Sequence, residues 1–219
     1  MKKTKIRFTV ALWLLLAFAV WTAAVCYVDM QPIGPQESSV GFATMNQFVH
    51  QLTGVHMWLY VITDWLGLIP FGIAAGFGIL GLVQWIQRKN LLKVDHSILV
   101  LGGFYMVVIT FYLLFEIVVV NHRPILIEGI LEASYPSSTT MLTLCVMSTA
   151  IMQLSERIKN LVFKRFVIAT ITAFTLFMVI GRLISGVHWF SDIVGGTLLS
   201  AGLVMLYHAI ANYTTKAGA

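Results

Sequence analysis

The chain has 219 residues, of which 58% are hydrophobic and only 11% are charged. This composition excludes a soluble enzyme, a disordered protein and a DNA-binding module, because too few polar residues are present to cover a water-exposed surface. The two cysteines, Cys26 and Cys145, both lie in apolar runs, so they provide neither a disulfide scaffold nor a zinc site.

The first apolar run, residues 8–28, follows four cations near the N-terminus. Signal peptides have an apolar core of about 7–15 residues, whereas this run has the roughly 20 residues that a bilayer crossing needs. No small-x-small cleavage pattern precedes Asp29. We therefore predict a retained first transmembrane helix.

An amphipathic segment follows in residues 40–62, where apolar side chains recur at helical spacing from Phe42 to Leu52. This pattern predicts a helix that lies along the membrane interface. Asp64 stands directly before the next apolar run, residues 65–86, and is predicted to be the N-cap of that helix. The alternative is that Asp64 is a charge placed inside the membrane for function.

Four more apolar runs follow, at residues 97–120, 140–154, 166–184 and 191–213. The sequence thus predicts an all-α polytopic membrane protein with six transmembrane helices and one interfacial helix after the first span. No repeat, linker or low-complexity segment divides the chain, so residues 1–219 are expected to form a single transmembrane domain.

The cations are distributed unevenly between the two sides of this topology. Six crossings place 12 of the 14 Lys and Arg residues on one side, which the positive-inside rule makes cytoplasmic. They are Lys2, Lys3, Lys5, Arg7, Arg88, Lys89, Lys93, Arg157, Lys159, Lys164, Arg165 and Lys216. Topology rather than nucleic-acid binding therefore explains the net charge of +5, and both termini are expected in the cytoplasm, with the chain in a bacterial plasma membrane.

The two remaining cations, Arg123 and Arg182, fall on the opposite side, where the rule gives no reason for them. A cation at the edge of the hydrocarbon needs an anionic partner. That partner is either a substrate or a structural carboxylate such as Glu116.

Three polar clusters are predicted to meet at this outer face: residues 121–124, residues 135–140, and Arg182 with His188 and Asp192. The arginine fork fits phosphate oxygens, and a hydroxyl-rich helix start offers free amides to an anion. On a helix, residues four apart share a face, so Asp192 would hold one ring N–H of His188 and leave the other nitrogen as a nucleophile. A simple helix cap is the alternative for the hydroxyl run.

Small residues predict close helix packing at two places along the chain. The first is formed by Gly72 and Gly76, and the second by Gly195, Gly196 and Ser200.

The spacing Arg182-x5-His188-x3-Asp192 resembles the third signature, S-R-x5-H-x3-D, of the type 2 phosphatidic acid phosphatase (PAP2) family. Arg123-Pro124 is similar to the end of the first signature, K-x6-R-P. Residues 136–139 stand where the second signature has P-S-G-H.

The resemblance implies a role for each matching residue. His188 would become the phosphohistidine, Asp192 would orient it, and Arg123 and Arg182 would bind the phosphate. Ser137 and Ser138 would contribute to the phosphate cradle. The resemblance also implies that no metal or other cofactor is needed.

The chain departs from the family pattern at several positions. Glu116 stands seven residues before Arg123, where the family has a phosphate-binding lysine, and Gly181 and Ser138 replace a serine and a glycine. Thr139 occupies the place of the histidine that protonates the leaving group, and a threonine hydroxyl is too weak an acid for that task. His122 is a candidate substitute, and Thr139 remains a candidate substrate-binding residue.

These departures favour a particular substrate class. A phosphate leaving from a diphosphate is less basic than an alkoxide and departs without a proton, so the expected reaction removes the terminal phosphate of a lipid diphosphate such as undecaprenyl diphosphate. The substrate would enter from the outer leaflet. Two alternatives stay open: a pseudoenzyme that binds or translocates lipid phosphates, and a lipid phosphotransferase.

Overall fold

The computed structural model describes the backbone of residues 2–217 and the side chains of residues 4–213. The predicted all-α polytopic fold is confirmed. The helices are α1 (Lys2–Tyr27), α2 (Ala43–Thr53), α3 (Met57–Leu66), α4 (Leu68–Arg88), α5 (His96–Ile117), α6 (Ser138–Arg157), α7 (Leu161–Ile184) and α8 (Phe190–Ala217). The predicted positions of Lys2, Lys3 and Lys216 concern side chains outside the described part.

Five of the six predicted spans coincide with segments that are long and apolar enough to cross a membrane. Within the described residues these are Thr4–Tyr27, Met57–Arg88, His96–Ile117, Leu161–Ile184 and Phe190–Tyr213. The protein is therefore an integral membrane protein. The remaining predicted span corresponds to α6.

Helix α6 is less apolar than the other predicted spans, and its polar side chains point into the protein. It has 20 residues, which correspond to about 30 Å of helix. Thr140, Thr143, Thr149 and Gln153 are all buried. Since α6 packs against α4, α5, α7 and α8, these side chains find protein partners: Gln153 donates to the Tyr207 hydroxyl at 2.6 Å.

The second span begins earlier than predicted, and the predicted cap is wrong. Helices α3 and α4 are separated only by Gly67, whose φ of −58° and ψ of −18° are helical. Asp64 therefore lies in the last turn of α3. Because the α3 backbone continues almost directly into α4, no side chain caps the N-terminus of α4. The interfacial helix predicted over residues 40–62 is shorter in the structure, where it corresponds to α2 alone. Phe48 and Leu52 of α2 are exposed.

Helix α8 lies at the centre of the packing, against α1 and α6. A Cβ atom at Gly195 would lie 2.6 Å from the Tyr135 ring, and one at Gly196 would lie 3.0 Å from the Ser137 carbonyl oxygen. The close approach predicted there is confirmed. The prediction for Gly72 and Gly76 is wrong, because a Cβ at either would meet nothing within 4 Å.

Three charged residues at helix ends meet at one end of the bundle. Arg88 Nη1 lies 3.0 Å from Asp95 Oδ1, and Arg157 Nη2 lies 3.8 Å from Asp95 Oδ2. The end of α4, the start of α5 and the end of α6 therefore meet there. The outer polar clusters of the sequence lie at the opposite ends of these helices, where the segment between α5 and α6 meets the segment between α7 and α8.

Candidate active site

The segment between α7 and α8 carries His188 into the protein and is tied to the connection between α2 and α3. The His56 amide donates to the Ser185 carbonyl at 3.0 Å. Gly186 has a φ of +72°, and a Cβ there would lie 2.2 Å from the Gly54 carbonyl oxygen. Only glycine fits both this backbone conformation and this approach. The chain therefore turns sharply two residues before the buried His188.

Two guanidinium groups converge on one nitrogen of the His188 ring. Arg123 Nη1 lies 3.4 Å and Arg182 Nη2 lies 3.3 Å from Nε2. Because a guanidinium can only donate, Nε2 must accept, and the proton of the neutral ring is assigned to Nδ1. Burial, followed by the charges of Arg123 and Arg182, lowers the pKa of His188 well below its ordinary value. The imidazole is therefore neutral at pH 7, with its lone pair on Nε2.

Asp192 faces the other ring nitrogen from the first turn of α8. Its Oδ2 lies 3.7 Å from His188 Nδ1, which is longer than a hydrogen bond. The same oxygen accepts from the Trp189 amide at 2.9 Å, and Oδ1 accepts from Asn121 Nδ2 at 3.4 Å. The fully buried carboxylate is thus fixed in place by its bond back to the amide that precedes the helix.

Arg182 is only 1% exposed, and its partners other than His188 come from α3. Its Nη1 lies 3.5 Å from Thr63 Oγ1 and 3.7 Å from Asp64 Oδ1, and its guanidinium carbon lies 5.1 Å from the centre of the Tyr60 ring. The structural carboxylate beside Arg182 is therefore Asp64 and not Glu116. This finding favours the alternative interpretation of Asp64, in which its charge lies inside the membrane span for function, here as the partner of Arg182.

Arg123 is held by a short antiparallel pairing within the segment between α5 and α6. Its amide donates to the Glu132 carbonyl at 3.0 Å, and the Ser134 amide donates to the Asn121 carbonyl at 2.9 Å. The side chains pair as well, with Arg123 Nε 2.8 Å from Glu132 Oε2. Sequence reasoning missed Glu132 as a partner, because neither its spacing nor its surroundings distinguish it from a solvated loop residue.

A cavity of about 60 Å³ opens beside the imidazole. Its polar wall is formed by His188, Arg123, Glu132, Ser138 and Glu116, among others. A larger cavity of about 410 Å³ lies between α4 and α5, but apolar residues and glycines form almost all of its lining. Of these two cavities, only the smaller one is therefore lined by side chains that could bind a phosphate and attack it.

The predicted phosphate cradle is only partly available to a ligand. Ser137 is fully buried, its Oγ accepts from the Thr140 amide at 3.5 Å as the N-cap of α6, and its own amide donates to the Asp192 carbonyl at 3.1 Å. The cap alternative thus holds for Ser137. Ser138 lines the cavity. The amides of Ser138 and Thr139, in the first turn of α6, have no hydrogen-bond partner among the described residues.

Thr139, which stands in place of the missing acid, and His122, its candidate substitute, both lie apart from the cavity. Neither Thr139 nor His122 is among the described residues that line it. The Thr139 methyl group points toward Gly67, where it would lie 3.7 Å from an added Cβ. The His122 carbonyl accepts from the Trp189 indole at 2.8 Å.

Comparison with known proteins agrees with this architecture. The PAP2 superfamily model matches residues 73–216, which include the three polar clusters. No curated protein sequence matches the chain significantly.

The chain is also similar to a solved structure, the first transmembrane PAP2-type phosphatidylglycerolphosphate phosphatase from Bacillus subtilis. The TM-score is 0.54 at 20% identity, over 94% of this chain and 96% of that chain. At this identity the similarity shows a shared fold. Since the family model covers well over half of the residues, the chain belongs to the PAP2 superfamily.

Proposed function

We propose that this protein is a membrane lipid phosphatase that removes a terminal phosphate from a lipid phosphate or diphosphate through a phosphohistidine. The observation that carries this proposal is the convergence of Arg123 and Arg182 on Nε2 of His188, at the edge of a polar cavity. Membership of the PAP2 superfamily supports the same reaction class.

In the proposed mechanism, the substrate phosphate replaces Nε2 of His188 as the partner of both guanidiniums. The amides of Ser138 and Thr139 complete the cradle. Nε2 attacks phosphorus, the bond to the leaving oxygen breaks, and Asp192 stabilises the proton on Nδ1 as the ring gains charge. Water then attacks phosphorus and breaks the N–P bond. Two arginines neutralise the phosphate charge, so the proposal routes no step through a metal.

The lack of a histidine at Thr139 supports a preference for lipid diphosphates such as a polyprenyl diphosphate. General acid catalysis contributes about 10²–10⁴ in rate, and a basic alkoxide leaving group needs it most. The related bacterial enzyme is named for phosphatidylglycerolphosphate, a lipid monophosphate, which is therefore the natural competitor to test.

We also propose that the site opens to the extracytoplasmic side. The cations Arg88 and Arg157 meet at the opposite end of the bundle, which the positive-inside rule assigns to the cytoplasm. The lipid headgroup would then reach His188 sideways from the outer leaflet.

The test is phosphate release by the purified full-length protein from a panel of lipid mono- and diphosphates, with EDTA present throughout. We expect diphosphates to be cleaved faster, and His188→Ala to abolish release. His96→Ala changes a histidine that is exposed at the other end of the bundle, and it should leave release unchanged.

Three results would contradict the proposal in different ways. Equal rates on both substrate classes would refute the preference for diphosphates. Lipid transport that persists in His188→Ala without phosphate release in the wild type would indicate a carrier. A labelled phosphoryl group recovered on an added lipid alcohol instead of as free phosphate would indicate a transferase.

A further inference from the structure

The proposed reaction lacks an identified proton donor for substrates whose leaving group is an alkoxide. Neither Thr139 nor His122 lines the cavity beside His188. We infer that Glu116 is the residue that protonates the leaving oxygen of lipid monophosphates. This inference rests on the proposed phosphatase function and assigns a role to a residue that stands in place of a lysine.

The lining of the cavity leaves few other donors. The titratable and charged side chains that face it are Tyr112 and Glu116 from α5, Arg123, Glu132 and Tyr135 from the segment before α6, and His188 from the segment before α8. A guanidinium does not give up its proton in proteins. His188 is the nucleophile, with Nε2 as its attacking atom.

Each remaining group is either paired with another residue or is a weaker acid than a carboxylic acid. The Glu132 carboxylate forms an ion pair with Arg123, whose Nε lies 2.8 Å from Oε2. The Tyr135 hydroxyl lies 2.7 Å from Thr22 Oγ1, and the side chain is 1% exposed. Tyr112 lies one helical turn before Glu116 and hydrogen-bonds to that same side chain, and a phenol is a far weaker acid than a carboxylic acid.

Glu116 meets the requirements that the others fail. It lies in the last turn of α5, lines the cavity and is exposed. It forms no ion pair with any described residue. The carboxylic acid form of Glu116 can donate its proton to a leaving oxygen at this wall.

The step balances without any additional reactant. Nε2 of His188 attacks phosphorus, the P–O bond to the lipid breaks, and the departing oxygen takes the proton of the Glu116 carboxylic acid to give a free alcohol. The Glu116 carboxylate then accepts a proton from the water that attacks the phosphohistidine. The N–P bond breaks, and inorganic phosphate and the protonated Glu116 are released for the next cycle.

This assignment has a consequence for selectivity. Diphosphates do not need the proton, whereas alkyl monophosphates are cleaved through the protonated form of Glu116. Turnover of monophosphates relative to diphosphates should therefore rise as the pH is lowered from 7 to 5. In Glu116→Gln this rise should disappear.

The decisive experiment compares leaving groups at pH 5 in the full-length protein. An alkyl lipid monophosphate needs protonation, and para-nitrophenyl phosphate has a weakly basic leaving group. Glu116→Gln should lower kcat on the alkyl ester by on the order of 10²-fold or more. Its loss on the aryl ester should be smaller by at least about tenfold. Glu128→Gln changes an acid in the segment that follows α5, and Glu128 does not line the cavity, so this variant should affect neither substrate.

The outcomes separate this inference from the proposed function. His188→Ala is expected to be inactive in every case. If Glu116→Gln lowers kcat equally on both esters, or leaves kcat on the alkyl ester unchanged, only the role of Glu116 is overturned. If the wild-type protein cleaves neither ester nor any diphosphate, both are overturned.

Discussion

The His188 imidazole lies in surroundings that oppose its protonation. It is buried, and two cations lie within 3.4 Å of Nε2. The sequence predicted that these three residues meet, because the spacing from Arg182 to His188 is local and the topology brings Arg123 to the same face. It did not predict the ring orientation, which depends on how Gly186 turns the chain against Gly54.

The first residue-scale prediction concerns the acid limb of kcat/KM for a diphosphate substrate. The free enzyme needs neutral His188, and kcat/KM reports titrations of the free enzyme. Burial and the arginine charges lower the pKa of His188, so the neutral form persists as the pH falls through about 6.5, the ordinary histidine value. We therefore expect the acid limb of kcat/KM to lie below the ordinary histidine value of about 6.5.

Arg123→Gln tests the cause of this shift. Removing one of the two neighbouring charges should move the acid limb to higher pH, besides lowering kcat/KM. A wild-type limb at or above the ordinary histidine value, or one that does not move in Arg123→Gln, would contradict the electrostatic assignment.

At the scale of elements, the junction between α6 and α8 positions the site. The Ser137 amide donates to the Asp192 carbonyl at 3.1 Å, so the start of α6 and the start of α8 move together. The hydroxyl run predicted a helix start correctly. Its split into a capping Ser137 and a cavity-lining Ser138 could not be predicted, because it depends on which face of the first turn the neighbouring helix covers.

Gly195→Ala should destabilise this junction. Its Cβ would lie 2.6 Å from the ring of buried Tyr135, whose hydroxyl is bound to Thr22. Overpacking of this kind costs about 1–3 kcal/mol, so we expect a clearly lower Tm in detergent. Gly72→Ala is the matched control, since open space surrounds that position and alanine favours a helix by up to about 1 kcal/mol. Equal Tm changes in the two variants would refute the close packing.

At the scale of the whole molecule, the apolar runs and the distribution of cations were sufficient to predict the architecture. Lipid requires each span to satisfy its own backbone, so long apolar runs become helices. The pairs between Arg182 and Asp64 and between Arg123 and Glu132 were not predictable. They join residues of separate elements, and only the packed bundle determines which carboxylate reaches which cation.

The proposed orientation can be tested by cysteine labelling in intact cells. With Cys26 and Cys145 replaced, a membrane-impermeant maleimide should label Ile130→Cys, in the exposed segment between α5 and α6. It should not label Lys159→Cys, between α6 and α7, until the cells are opened. The reverse pattern would place the active site in the cytoplasm.

The burial of Arg182 also bears on the order in which the protein is assembled during synthesis. An arginine near the end of a membrane helix is costly until a polar neighbour reaches it. Its neighbours Thr63 and Asp64 lie about 120 residues earlier in the chain. Because synthesis runs from the N-terminus, we expect α3 to be inserted before the ribosome delivers α7. In this order of insertion, α7 packs against an α3 that is already in the membrane. Deleting α3 should therefore leave the newly inserted α7 exposed to membrane quality-control proteases.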